Sequence, residues 1–252
     1  MTVSFGGEDY LEVRDLVVDF DGFKAIGGVD VTLLQGRLHF LIGPNGAGKT
    51  TLVDALTGLV RGTGEAMFRN HNLLDMKSHK IVRLGIGRTF QTLQVFGGLS
   101  VRDNLIVAAQ EFQGTMRQRL FARPDAGLGE QADRMIELFR LQPVAKLKAG
   151  TLSYGQQKLI DIAMAFMPQP RLVLLDEPCA GVNPSLVDQL RELLVELNRS
   201  QGGSFVVIEH NMDFVMRLCP HVICMVEGKV LAEGAPAEVQ ANRAVLEAYL
   251  GN

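Results

Sequence analysis

The feature that most constrains this chain is the run Gly43-Pro44-Asn45-Gly46-Ala47-Gly48-Lys49-Thr50, continued by Thr51. It fits the spacing GxxxxGK[ST], and the logic of that spacing is physical. Glycines let consecutive backbone N–H groups turn toward one anion, and the N-terminus of a following helix adds its positive end. Lys49 is then placed to reach the β- and γ-phosphates of a nucleotide, and the Thr50 hydroxyl to ligate Mg2+. From average residue frequencies the bare spacing arises in roughly one chain of this length in a hundred. Its setting narrows that further: Leu38–Ile42 is a short apolar strand running into the loop, and Thr50–Leu59 reads as a helix leaving it. A merely flexible glycine loop needs neither neighbour.

A second element is the run Leu172–Glu177, four apolar residues followed by two acids. A buried strand ending in carboxylates is costly unless something cationic waits there. Alternation along the strand points Asp176 and Glu177 in different directions. One can orient Mg2+-bound water while the other faces the γ-phosphate and polarises an attacking water. Two solvated acids at a strand end are the alternative, and the phosphate loop counts against it.

Periodicity organises the rest. Leu11–Phe20 and Ala25–Leu34 look like strands joined by the turn-forming Asp21-Gly22. From about Gln91 to Ala165 the pattern turns helical, with Val101–Gln110, Gln131–Leu141 and Gln156–Met167 carrying apolar residues at helical spacing. Strand-like runs resume at Arg171–Leu175, Ser204–Ile208 and His221–Val226. Between the first two, Ser185–Leu197 places Leu186, Leu190, Leu193, Leu194 and Leu197 on one helical face. The expectation is a single α/β domain over 1–252, with a core of 1–90 and 166–252 and a helical subdomain at 91–165.

Composition sets outer bounds. At 252 residues and 47% apolar the chain has ample material for a packed core, which excludes disorder. Lys+Arg 25 against Asp+Glu 28 leaves a net charge of −3, which argues against a nucleic-acid partner. A membrane span needs about 20 consecutive apolar residues, and the greasiest stretches, Leu159–Met167 and His221–Val226, are shorter or carry charge. Met1–Asp9 lacks a basic region followed by an apolar run, so no secretory signal is expected. Cys179, Cys219 and Cys224 show no metal-ligand spacing and read as reduced thiols of a cytoplasmic protein.

Between the phosphate loop and the two acids stands Leu152-Ser153-Tyr154-Gly155-Gln156-Gln157. Together with Gly43–Thr50, Asp176-Glu177, a Gln after an aromatic (Phe90-Gln91) and a lone His after a strand (His210), it resembles the ABC ATPases over essentially the whole chain, in that family's order. The resemblance implies a P-loop NTPase (RecA-like) core with an N-terminal antiparallel β-subdomain and an inserted α-helical subdomain. It implies ATP and Mg2+ as ligands, with hydrolysis of the former. By the same resemblance Glu177 is the catalytic carboxylate and His210 the switch that holds γ-phosphate and water. Gln91 senses Mg2+ and the attacking water, while Thr50 and Asp176 serve the metal. Phe20 sits where an aromatic stacks on adenine, core packing being the alternative. Ser153, Gly155 and Gln156 resemble the signature that closes over the ATP of a second ATPase subunit, identical or different, paired head to tail.

Two residues depart from the family pattern. Tyr154 replaces a commoner glycine, and Asn183 stands where many members place an aspartate. Asn183 also fits a helix N-cap followed by Pro184 at the first helical position.

With no span of its own, a transport role implies separate transmembrane permease subunits, met at the cytoplasmic face of the inner membrane, and indirectly a substrate-binding protein. The apolar residues of Gln91–Ser100 suit a groove for a partner's short helix, or pack between the two subdomains. Arg88–Gln91, Val95–Leu105, Glu177–Pro184, Ile208–Met212 and the tail Gly234–Gly251 are similar to the branch that imports branched-chain amino acids, whose extended helical subdomain Gln110–Glu130 matches. ATPases of urea or amide importers and of lipopolysaccharide exporters are the nearest alternatives. A soluble ABC protein acting on ribosomes or DNA would show two cassettes or a coiled coil, and a P-loop kinase would lack the signature.

Overall fold

The structure, a computed structural model, describes residues 9–109, 126–218 and 220–250. Residues 110–125 of the extended helical segment, Cys219, and the ends of the chain therefore lie outside the described residues.

The chain opens with a hairpin, β1 (Asp9–Phe20) and β2 (Phe23–Leu34), paired antiparallel. Asp21 and Gly22 both take positive φ, 50° and 98°, the twist a two-residue hairpin turn requires. β3 (Leu38–Ile42) leads to α1 (Lys49–Leu56), and β4 (Thr63–Phe68) returns to the free edge of β1. The short β5 (His71–Asn72) completes a four-stranded antiparallel sheet of order β2-β1-β4-β5. Neither β4, which holds Gly64 and Glu65 among its residues, nor β5 shows the alternation that marks a strand in sequence.

The second sheet has the order β10-β9-β3-β8-β7-β6. It is built from β6 (Ile86–Arg88), β7 (Leu172–Asp176), β8 (Ser204–Ile208) and β9 (His221–Val226) around β3, all parallel, with β10 (Lys229–Gly234) antiparallel at one edge. Every residue of β3, β7 and β8 is buried, as expected of strands covered on both faces. Alternation splits them between two cores. Leu41, Leu174, Val206 and Ile208 face the antiparallel sheet and α1. Phe40, Leu175, Phe205 and Val207 face the helical side.

That helical side begins with the insertion between β6 and β7: α3 (Val101–Ala109), α4 (Ala126–Leu138) and α5 (Tyr154–Phe166), in which α3 packs on both others; α2 (Ser78–Leu84) precedes β6. After β7 come α6 (Pro184–Gln201), α7 (Met212–Leu218), α8 (Pro236–Ala241) and α9 (Arg243–Leu250). Among the described residues no helix is long and apolar enough to cross a membrane.

Boundaries move where backbone chemistry overrides periodicity. α1 stops at Leu56 rather than Leu59, because the Thr57 hydroxyl donates back to the Val53 carbonyl at 2.7 Å and Gly58 turns left-handed at φ 68°. α4 stops at Leu138 rather than Leu141, with Arg140 at φ 55° just beyond it.

Candidate active site

The phosphate loop hangs between the end of β3 and the start of α1. Its glycines are required by close approach as well as by turn geometry. A Cβ on Gly43 would collide with the Met225 carbonyl, and one on Gly48 would lie 2.7 Å from the Ala25 carbonyl oxygen. Ala47 is buried and anchors the loop, its N–H donating to Pro44 at 3.2 Å and its carbonyl accepting from Gly228 at 3.1 Å. Pro44 is half-buried, while Asn45, Gly46 and Thr50 are exposed; Thr51 is partly covered. Lys49 opens the helix with only 6% of its surface accessible. Its ammonium donates to the carbonyls of Gly43 at 2.7 Å and Pro44 at 2.9 Å. Burial pushes its pKa down, and the charges of Glu177 and Asp176 oppose that shift.

Two strands away, β7 carries Asp176 to a buried position. Its carboxyl is pushed upward in pKa by burial and held back by Arg88. Arg88, at the end of β6, bridges two acids: Nη1 lies 2.6 Å from Asp54 of α1, and Nη2 lies 3.7 Å from Asp176. The same guanidinium donates to Thr57 at 2.9 Å and sits 4.9 Å over the Phe90 ring. The neighbouring Thr89 hydroxyl accepts from the Asp176 N–H at 3.1 Å.

Glu177 takes a left-handed φ of 47° and its N–H donates to the Ile208 carbonyl at 3.0 Å. Its Oε1 lies 2.9 Å from Nε2 of His210, which follows the adjacent β8. Residues from three separate parts of the chain thus converge at the same ends of β3, β7 and β8: Lys49 at the start of α1, Asp176 and Glu177 at the end of β7, and His210 after β8.

The remaining candidates are spread over the surface. Phe20 stands at the tip of the first hairpin with 48% of its surface accessible, so it is not a core residue. Gln91 is exposed in the loop after β6. That loop is tied to the insertion by the Gln94 N–H, which donates to Asp161 of α5 at 3.0 Å. Ser153, Gly155 and Gln156 form the start of α5. Ser153 Oγ accepts from the Gln156 N–H at 3.3 Å while Gln156 Oε1 accepts from the Ser153 N–H at 3.1 Å, a closed capping box. Among the described residues no hydrogen bond joins them to Gly43–Thr51 of their own chain. The half-exposed Tyr154 ring lies over Gly181, 3.2 Å from where a Cβ there would sit. Asn183 does cap α6, accepting from the Leu186 N–H at 2.9 Å.

Two residues do structural work that no local sequence motif signals. Arg88 was visible only as part of a family run, although an arginine two residues before an exposed-looking aromatic was a usable signal. Glu209 was visible only as the neighbour of His210. It is 3% exposed, and its carboxylate accepts from the N–H groups of Cys179, His210 and Asn211.

A glycine loop delivered by a buried strand to a helix, a buried acid at the end of a second parallel strand and a Glu–His pair beside it define a P-loop nucleotide triphosphatase. Residues 26–180 match the family described as ABC transporter, and residues 229–252 the one described as branched-chain amino acid ATP-binding cassette transporter. The branched-chain amino acid transport ATP-binding protein BraF of Pseudomonas aeruginosa is 36% identical over 248 residues, covering 96% of this chain and 97% of its own length. LivG of Escherichia coli K12 is 35% identical over 248 residues, with the same coverage. The crystal structure of a nucleotide-free ATP-binding cassette from an ABC transporter superposes with a TM-score of 0.86 at 32% identity, over 96% of this chain and 99% of that one. The chain belongs to the ABC transporter family and is an ATP-binding subunit that hydrolyses ATP. The resemblance carried by the loop, the signature and the two acids is thereby confirmed, as is the expected P-loop fold with its antiparallel β-layer and helical insertion.

Proposed function

We propose that this chain drives import of branched-chain or related amino acids from the cytoplasmic face of a membrane, hydrolysing ATP in composite sites shared by two head-to-tail ATPase subunits. The observation that carries the hydrolytic part is the 2.9 Å contact between Glu177 and His210, set beside the Lys49 loop. Glu177 accepts the proton of a water as its oxygen attacks the γ-phosphorus, and the bond to the β–γ bridging oxygen breaks to leave ADP and phosphate. His210 holds that carboxylate and the γ-phosphate in register. Lys49 exchanges its two loop carbonyls for phosphate oxygens, and the exposed Phe20 ring takes the adenine. The half-exposed start of α5 presents Ser153, Gly155 and Gln156 to the ATP of the partner subunit.

The donor set fits Mg2+. Among the described residues no group of three or more His, Cys, Asp and Glu could cage a metal alone, and Mg2+ characteristically takes one or two protein oxygens plus phosphates and water. Thr50, Asp176 and Gln91 would hold it, and it would neutralise charge on the transferring phosphoryl group.

The cargo reading rests on the similarity to BraF and LivG, whose names carry branched-chain amino acid transport. Separate permease subunits are part of this reading, which rests on the match to the ABC transporter family. One experiment tests the whole reading. Vesicles holding the chain with its permeases and binding protein should take up labelled leucine on addition of ATP. Glu177→Gln should bind ATP yet lower uptake and hydrolysis by about a hundredfold or more. Full turnover by that variant would remove Glu177 as the base, and ATP-driven uptake of urea but not leucine would overturn the cargo.

A further inference from the structure

We infer that Glu209 is a positioning residue for hydrolysis: its buried carboxylate locks the turn carrying Glu177 to the turn carrying His210. The inference rests on the reading of those two residues as the hydrolytic pair.

Glu209 is 3% exposed and forms no ion pair among the described residues. A carboxylate so placed persists only if hydrogen-bond donors replace the lost water. Three backbone N–H groups do so. Oε1 accepts from Cys179 at 2.7 Å, and Oε2 accepts from His210 at 3.0 Å and Asn211 at 3.2 Å. Burial, together with the charge of Glu209, pushes the Cys179 thiol pKa upward. Glu209's own N–H reaches the Leu41 carbonyl of β3 at 3.4 Å, two residues before Gly43. One side chain and its backbone therefore connect the strand entering the phosphate loop, the turn after β7 and the turn after β8.

The turn after β7 needs such a restraint. Glu177 sits at φ 47°, a conformation that disfavours every residue with a Cβ except in a well-tied turn. Its N–H is held by Ile208 at 3.0 Å, and its carbonyl accepts from Ala180 at 3.1 Å. The Cys179 N–H, between these two bonds, donates to Glu209. The other carboxylate oxygen grips His210 itself. Filling the space would need only an apolar side chain, whereas holding N–H groups of two turns at a set spacing needs a two-oxygen acceptor. Without it, the Cys179 and His210 amides are left without an acceptor, Glu177 is free to relax, and the 2.9 Å contact with His210 is no longer enforced.

The test compares Glu209→Gln and Glu209→Asp with the full-length wild-type chain, measuring Mg·ATP hydrolysis, affinity for a fluorescent methylanthraniloyl ATP and thermal midpoint. Gln keeps the shape but turns an amide NH2 toward backbone donors. We expect kcat to fall at least tenfold, with KM for ATP and the fluorescent-nucleotide affinity within twofold of wild type, because the Lys49 loop is untouched. Asp keeps the charge but draws back from Cys179 by one methylene, so it should recover part of the lost kcat. Wild-type kcat in a folded Gln or Asp variant overturns the inference. So does a loss of nucleotide affinity as large as the loss of kcat, the mark of general unfolding; if Gln does not fold, Asp carries the same comparison. Failure of the underlying reading would look different: the wild type would not hydrolyse ATP, or Glu177→Gln would do so at full rate.

Discussion

At the scale of single residues, burial decides which groups titrate and which hold their charge. Arg88 lies between Asp54 and Asp176, so the acid at the end of β7 has the cationic partner that a buried carboxylate demands. His39 on β3 is the opposite case. Its Nε2 accepts from the Leu34 N–H at 3.0 Å, and burial, reinforced by the charge of His221, lowers its pKa to about 4. The unfolded chain protonates this imidazole near its ordinary 6.5, so between those values the unfolded state binds more protons than the native one. The stability contributed by neutral His39 is therefore present above about pH 6.5 and is lost as pH falls toward 4. The full loss is about 3 kcal/mol at 1.36 kcal/mol per unit. Urea midpoints at pH 7 and pH 4.5 should fall further for the wild type than for His39→Gln, whose amide oxygen can still accept from Leu34. Equal falls would show that other groups carry the acid sensitivity.

At the scale of elements, two helix starts are closed by local caps. α6 begins with Asn183 as cap and Pro184 behind it, as its sequence implied, and α5 begins with the reciprocal bonds of Ser153 and Gln156. Each cap is worth about 1 kcal/mol, so Asn183→Ala and Ser153→Ala should each lower the free energy of urea unfolding by about that much in the isolated chain. A substantially larger loss for Ser153→Ala would mean that the signature serves its own chain's fold rather than a partner. Tyr154, the departure from the commoner glycine, has a structural account within one chain: its ring covers Gly181, which at φ 71° leaves room for it.

At the scale of the whole molecule, the composite-site reading makes a prediction that no single chain can satisfy. A Lys49→Ala chain has a damaged loop and an intact signature, and a Ser153→Arg chain the reverse. In a head-to-tail pair of the two, one site combines both defects and the other combines the intact loop with the intact signature. A mixture should therefore hydrolyse more ATP than either variant alone at the same total concentration. If each site lay within one chain, mixing would restore nothing.

The sequence by itself determined the elements whose instructions are local. The glycine spacing and Lys49, the Asp21-Gly22 hairpin, the all-apolar β3, β7 and β8, the Asn183 cap and the signature run are all written in contiguous residues. They were enough to place the chain among the ABC ATPases. Only the tertiary structure decided what depends on strands that are neighbours in the sheet but far apart in the chain. The three-residue β6 has too few residues to show a period, yet it brings Arg88 between Asp54 and Asp176. The order β3-β8-β7 sets His210 against Glu177 across 33 positions of sequence. It also lets Glu209, an ordinary acid in a linear reading, become a buried acceptor for two turns. Backbone amides carry no side-chain identity, so a carboxylate that satisfies them leaves no spacing to find; the need for it arises only when folding removes the water.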